Sequence, residues 1–249
     1  MALYRTEAIV LRSLDYSEAD KILTLYTKHF GKVRGLARGA RRPRSRLLGS
    51  TQLFSHVNAG LFQGKGLDSL SQADIINSHR RIREDLGALA RATYVGELTD
   101  LFTEERDVNE RLFDLLLITL SALDGGNLKP TLLRCFEIKL MQATGFAPRI
   151  DRCVECESSV EGQARFSPSR GGVVCIRCTA EPGDLLISGP TLAALRGLSG
   201  MDAGRAMNAG ISREMNQELK QAFSLYISRI IDRVPKSLSF LDLVGDERG

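Results

Sequence analysis

Two hydrophobic periods divide the chain. Over the first 80 residues apolar positions recur every second residue in short runs, and from Ile82 onward they recur at helical spacing. The alternating part contains five candidate strands: residues 3–12 (LYRTEAIVLR), Lys21–Thr27, Lys32–Ala37, Gln52–Phe62 and Leu67–Ile76. Gly31 and the Gly64-Lys65-Gly66 stretch mark turns between them. In Gln52–Phe62, Leu53, Val57, Ala59 and Leu61 share one face and His56 and Asn58 the other. Five short strands in about 80 residues predict a small barrel or sandwich. The helical part predicts one helix over Ile82–Phe102, with Leu86, Leu89, Ala90, Thr93, Tyr94, Leu98, Leu101 and Phe102 in phase. A second helix follows Asp107 and stops at Gly125-Gly126. A third starts at Pro130 and ends before Gly145, a short one opens at Gly189-Pro190-Thr191, and a long one covers Ile211–Val234. Residues Phe146–Asp184 interrupt this bundle and read as irregular.

Composition adds little until charge is located. Hydrophobic residues are 43% and charged residues 26% of 249, the ordinary globular mix, which excludes global disorder. No run is long and apolar enough for a membrane span, and the first seven residues carry charge in place of an apolar leader. A cytoplasmic protein with reduced cysteines is therefore expected. Residues 1–80 hold 13 Lys/Arg against 6 Asp/Glu, whereas the rest holds 21 against 24. All the excess positive charge sits on the first part, which points to an anionic partner there.

The strongest local motif lies in the interruption. Cys153, Cys156, Cys175 and Cys178 form two C-x₂-C pairs separated by eighteen residues, with Gly171-Gly172 able to turn a hairpin between them. Each pair aims two thiolates at one point, and four soft ligands suit tetrahedral Zn²⁺ with no position left for substrate water, so the site reads as structural. A metal also explains how a forty-residue excursion without its own core stays folded. Two redox dithiols, or unliganded thiols, are the competing readings. Cys135, alone on an apolar helix, reads as a core residue.

The second motif is the acid-free run Lys28–Arg46, with Lys32, Arg34, Arg38, Arg41, Arg42, Arg44 and Arg46 among its cations. A solvated loop is the bland reading. Against it, the run overlaps candidate strands and is rich in Arg and Gly, so guanidinium forks reach phosphates while the backbone approaches closely. Tyr16, Tyr26 and Phe30 offer stacking faces for unpaired bases, although aromatics are only 6% of the chain and Trp is absent. A basic groove on a five-stranded barrel is how OB-folds hold single strands. Nucleic acid is thus the favoured ligand, ahead of a membrane surface or a free nucleotide.

No phosphate-binding loop and no dinucleotide fingerprint occur. His29, His56 and His79 sit in no metal or nucleophile motif and read as surface or strand residues. Asp15, Glu18 and Asp20 cluster in a loop where a nuclease metal is conceivable, but solvation or pairing with Lys21 is the simpler account. Nothing reads as an active site.

The segment YRTEAIVLRSLDYSEADKILTLYTKHFGKVRGLARGARRPRSR resembles the N-terminal domain of the RecO family of bacterial recombination mediators. So do ADIINSHRRIREDL (73–86), FEIKLMQATGFAPRIDRCVECE and RVPKSLSFLDL. The resemblance implies an α+β multidomain protein. Residues 1–80 would be a five-stranded OB-fold barrel, and 81–249 an all-α helical domain with a four-cysteine zinc ribbon inserted at about 146–184. It implies no enzymatic activity but a recombination mediator in DNA repair. Such a protein binds single- and double-stranded DNA, anneals strands and, with RecR, helps RecA replace single-stranded DNA-binding protein. It also implies that the acidic, apolar-tipped tail of single-stranded DNA-binding protein docks on the helical domain, for which Arg134–Met141 and Lys220–Arg233, with Lys139 and Arg229, are the expected groove. No membrane partner is implied, and the expected location is the cytoplasm at the nucleoid. An RNA-binding OB and zinc-ribbon accessory protein, or a metal-dependent nuclease, are the alternatives.

Overall fold

The computed structural model describes residues 2–245. Five strands, β1 (Leu3–Tyr16), β2 (Asp20–Thr27), β3 (Gly31–Ala37), β4 (His56–Phe62) and β5 (Asp68–Asn77), close into a barrel in the order β1-β2-β3-β5-β4. Every neighbouring pair is antiparallel except β3–β5, as in an OB-fold. Alternation explains the interior: Ala8, Val10, Leu23, Leu25, Val33, Val57, Ala59 and Leu61 form the barrel core. The intervening Ile9 and Leu11 are also buried, so β1 is apolar on both faces. The candidate strand at Gln52–Phe62 begins only at His56. Residues 52–55 instead finish a loop, with Phe54 buried at φ 65° and its N–H donated to Val10 O.

Three helices belong to the same compact unit as the barrel, which comprises residues 2–127 with 239–245. They are α1 (Arg80–Glu84), α2 (Leu86–Leu101) and α3 (Glu110–Asp124). The single helix expected over Ile82–Phe102 is thus two. Asp85 leaves the helical region (φ −113°, ψ 121°) and its carboxylate accepts the N–H of Ala88, starting α2 afresh. Buried Asp68 fastens the barrel rim: it accepts from Tyr4 Oη, from Arg106 (2.6 Å) and from Gly64 N (3.0 Å). Gly31 (φ 60°) is irreplaceable there, because a Cβ would lie 2.0 Å from Asp107 O.

Residues 128–238 form the second unit. Helix α4 (Pro130–Ala143) packs against α5 (Gly189–Gly200), α6 (Ala203–Ala206) and α7 (Arg213–Ile230). The stretch expected to be irregular carries two strands, β6 (Ala164–Ser167) and β7 (Gly172–Cys175), which form a three-stranded sheet in the order β7-β6-β8 with β8 (Leu185–Ile187) just beyond it. Phe166 of β6 meets Phe223 and Tyr226 of α7 edge-on, which seats the sheet on that helix. A last helix, α8 (Ser237–Gly245), follows Pro235. No helix among the described residues is long and apolar enough to cross a membrane.

Candidate nucleic-acid interface and metal centre

The segment between β3 and β4 is a succession of turns that carries Arg38, Arg41, Arg42, Arg44 and Arg46, all exposed. It is anchored from beneath by buried Ala40, Ser50, Thr51 and Phe54. Its start is tied to the β1–β2 turn. Arg41 N donates to Ala19 O (2.9 Å), Gly39 N donates to Asp20 Oδ1 (2.8 Å), and the Arg41 guanidinium reaches Ser17 O (2.9 Å) and Asp15 (3.4 Å). Asp15 and Asp20 are therefore engaged with this loop. The four other guanidiniums have no side-chain hydrogen bond or ion pair among the described residues, so their charge faces solvent.

Lys32 takes a different role from the phosphate contact expected of it. Its side chain is 13% exposed, and Nζ donates to Asp100 O (2.6 Å) and Thr103 O (2.6 Å) while pairing with Asp100 Oδ1 (3.0 Å). It closes the C-terminal end of α2, where carbonyls lack helical partners. Arg34 is exposed and lines a cleft of about 570 Å³ on the outer face of β1–β3. Arg12, Lys32 and Arg34 there oppose Asp100, Glu104 and Glu105, and Arg12 pairs with Asp100 at 2.9 Å. Glu105 is brought alongside β3 by a bridge to Lys32 and the bond from Arg106 N to Lys32 O (2.9 Å). No short-range signal announces these acids, which lie some seventy residues from β3 in sequence.

Tyr26 cannot stack on a base. It is fully buried, its ring lies 6.5 Å from that of Phe113 on α3, and His56 sits against the same Phe113. Phe30 is half-buried against the barrel core with its ring 4.3 Å from that of Tyr4. His56 is buried, and burial holds its pKa below 6.5 even though Nε2 meets Glu7 Oε2 at 2.9 Å. His79, expected on the surface or a strand, is buried ahead of α1 with Nδ1 2.8 Å from Phe54 O.

In the second unit the four cysteines converge. Their Sγ atoms all lie within 4.8 Å of one another, with Cys153–Cys178 at 3.9 Å, Cys156–Cys175 at 3.7 Å and Cys175–Cys178 at 3.6 Å. The β6–β7 hairpin carries one pair and the loop after α4 the other. Gly172 lets them meet, since a Cβ there would strike Arg149 O at 2.2 Å. At Cys153 burial opposes the thiolate, but N–H groups of Cys175, Cys156 and Glu155 outweigh it and lower the pKa. Ser158 lowers that of Cys156. Cys178 is pushed up to about 12 by its thiol contacts with Cys156 and Cys175. Four thiolates this close repel one another unless a cation sits among them, so the quartet is fit to hold a metal ion. Arg165 braces the second pair by donating to the carbonyls of Cys175 (3.3 Å), Ile176 (3.5 Å) and Cys178 (3.1 Å). Among the described residues no other cluster of His, Cys, Asp or Glu is so arranged. Cys135 is a core residue, its thiol raised by burial to about 12.

The groove expected between Arg134–Met141 and Lys220–Arg233 does not exist on the α4 side. Every residue from Thr131 to Met141 is buried except Lys139. Arg134 and Glu137 neutralise each other inside at 3.0 Å, and Lys139 Nζ donates to Ser199 O (2.7 Å) at the end of α5. Arg229 is exposed on α7, one turn after exposed Leu225.

Comparison with known proteins adds an independent line. Residues 1–79 match the family model described as recombination protein O N terminal, and residues 83–239 match recombination protein O C terminal. The chain is 44% identical to a DNA repair protein RecO of Symbiobacterium thermophilum over the whole of both chains. It is 37% identical to that of Bacillus subtilis, covering 96% of this chain and 94% of the relative. For that of Pelotomaculum thermopropionicum the identity is 35%, over 98% and 96%.

Proposed function

The chain belongs to the RecO family of DNA repair proteins, and from that premise we propose that it works without catalysis, by holding DNA strands on its barrel unit and delivering them to protein partners. The observation that carries this reading is the loop of five exposed arginines, Arg38, Arg41, Arg42, Arg44 and Arg46, anchored to the rim of a closed OB-type barrel. Guanidiniums so placed track a phosphate backbone whatever its sequence, and therefore accept single- and double-stranded DNA alike. Two complementary strands neutralised on such a surface lose much of their mutual repulsion, which favours annealing. Arg34 lies apart from this loop, in the cleft it shares with Asp100, Glu104 and Glu105; Lys32, Tyr26 and Phe30 support the barrel from within.

We assign DNA binding to residues 1–80 and partner binding to 81–249, with the ribbon at about 146–184 as an insertion. In the family's role the partners are RecR, single-stranded DNA-binding protein and, through them, RecA, at the nucleoid in the cytoplasm. The acidic tail of single-stranded DNA-binding protein would be met on α7, where exposed Leu225 and Arg229 lie one turn apart and exposed Arg233 follows just past the helix end. Zn²⁺ is the metal that the four cysteines fit best. The sulfur separations of 3.6, 3.7 and 3.9 Å bracket the edge of about 3.8 Å that a tetrahedron with Zn–S near 2.3 Å requires. All four positions would be filled by protein, so such an ion supplies charge neutralisation and cross-linking only.

The test is annealing of complementary labelled oligonucleotides. The wild type should accelerate it and leave both strands intact with Mg²⁺ present. Alanine at all five loop arginines should remove the acceleration. Strand cleavage, or annealing unchanged by the five substitutions, would overturn the reading.

A further inference from the structure

The register of the barrel sorts the outer face of β1–β3 into rows. Arg12, Thr24 and Arg34 are cross-strand neighbours, and so are Leu14, Ile22 and Leu36 one step nearer the β1–β2 turn. Tyr16 lies one step further, paired with Asp20, on the same face as Leu14 by the two-residue repeat. The first row is electrostatically spent. Arg12 pairs with Asp100, Lys32 behind it pairs with the same carboxylate, and Glu104 and Glu105 wall that side of the cleft. A phosphate backbone gains little there, because three carboxylates balance the three cations. On the opposite side lie Arg38 and the arginine loop, tied to the turn through Ser17, Ala19 and Asp20.

Between an acidic wall and a basic loop runs an apolar strip. Leu14 is 61% and Tyr16 52% exposed, and it is their adjacency on one face, as a patch, that is informative. Ile22 and Leu36 are half-buried beside them. Tyr16 has no hydrogen bond or ring contact among the described residues, so nothing in this unit uses its ring.

We infer that this strip is a base-stacking platform, with Tyr16 as its aromatic end, and that it makes the surface prefer an unpaired strand. The backbone lies along Arg38 and the loop arginines, while bases turn inward onto Tyr16 and onto Leu14 at the mouth of the cleft that holds Glu104 and Glu105. Duplex DNA keeps its bases stacked inside and engages the arginines alone. This rests on the nucleic-acid reading above and adds to it a choice between strand types. It also moves the stacking role from Tyr26 and Phe30, whose rings are occupied, to the one aromatic of the three that is free.

Binding at fixed salt of three probes of equal length separates the possibilities: an oligothymidylate, a strand of abasic deoxyribose phosphates, and a duplex. The wild type should bind the oligothymidylate about tenfold more tightly than the abasic strand. Tyr16→Ala should lose about tenfold on the oligothymidylate and nothing on the other two, and Tyr16→Phe should keep wild-type affinity. Equal losses on all three probes, or none on any, would overturn the platform while leaving phosphate binding intact. If the wild type binds no probe, the nucleic-acid reading fails and the platform falls with it.

Discussion

Replacing Lys32 with Met separates a structural lysine from a phosphate contact. The substitution keeps the length of the side chain but deletes two charged hydrogen bonds to Asp100 O and Thr103 O, each 2.6 Å, and the pair with Asp100. A hydrogen bond from a charged donor contributes about 1.5–3 kcal/mol net, and carbonyls left unmade in a nearly closed site add a desolvation penalty. Asp100 retains Arg12 as a partner, which offsets part of the loss. A destabilisation of about 2–3 kcal/mol follows, or about 6–9 °C in Tm at about 3 °C per kcal/mol for a unit of this size. The assay is a thermal melt by circular dichroism together with DNA titrations at several salt concentrations. Tm should fall while the salt dependence of binding stays as in the wild type. A variant that melts normally but whose salt slope flattens by about 0.7, the share of one phosphate contact, would refute the placement of Lys32.

Three further outcomes follow from the same geometry. Native protein should carry one equivalent of metal, and Cys153→Ser or chelation should lower the melting of the unit containing α4–α7 while sparing DNA binding; metal-free protein with an unchanged melt would contradict the centre. Arg165→Leu removes the donor to three carbonyls of the second cysteine pair, so metal affinity should drop about 10- to 100-fold in a competition titration with a chromophoric chelator. The third concerns pH: burial lowers the pKa of His56 below its ordinary 6.5, so the unfolded chain takes up the proton first and stability is lost as pH falls through 6.5 toward the folded value. Tm should therefore drop between pH 7.5 and 5.5, and His56→Gln should flatten that part of the profile.

What was legible in the sequence is what local pattern controls. Alternation along Ala8–Val10, Leu23–Leu25 and Val57–Leu61 marked the barrel strands because each faces one core. The two cysteine pairs announced their own convergence because short spacing limits where the thiols can point. The misses share a cause, which is contact with residues remote in sequence. Tyr26 reads as an exposed strand aromatic until Phe113 covers it. Lys32 reads as one cation among eight until the end of α2 reaches it. Arg134 and Glu137 look like a solvated helix face, yet they are 3.0 Å apart and buried, each making the other's burial tolerable. The division at Asp85 was hidden because Ile82 and Leu86 keep helical phase across a residue whose carboxylate caps the next helix.

The central claim, that the arginine loop tracks DNA phosphates, is tested most directly by the salt dependence of single-strand affinity. With Arg38, Arg41, Arg42, Arg44 and Arg46 each neutralising a phosphate, log K should fall with log salt at a slope of about −3.5, or about 100-fold between 50 and 200 mM. Alanine at Arg38, Arg42, Arg44 and Arg46, the four guanidiniums with no partner among the described residues, should flatten that slope by about three units without changing the melt or the metal content. An unchanged slope and affinity in that variant would mean that the loop is merely solvated, and that DNA, if bound at all, is held elsewhere.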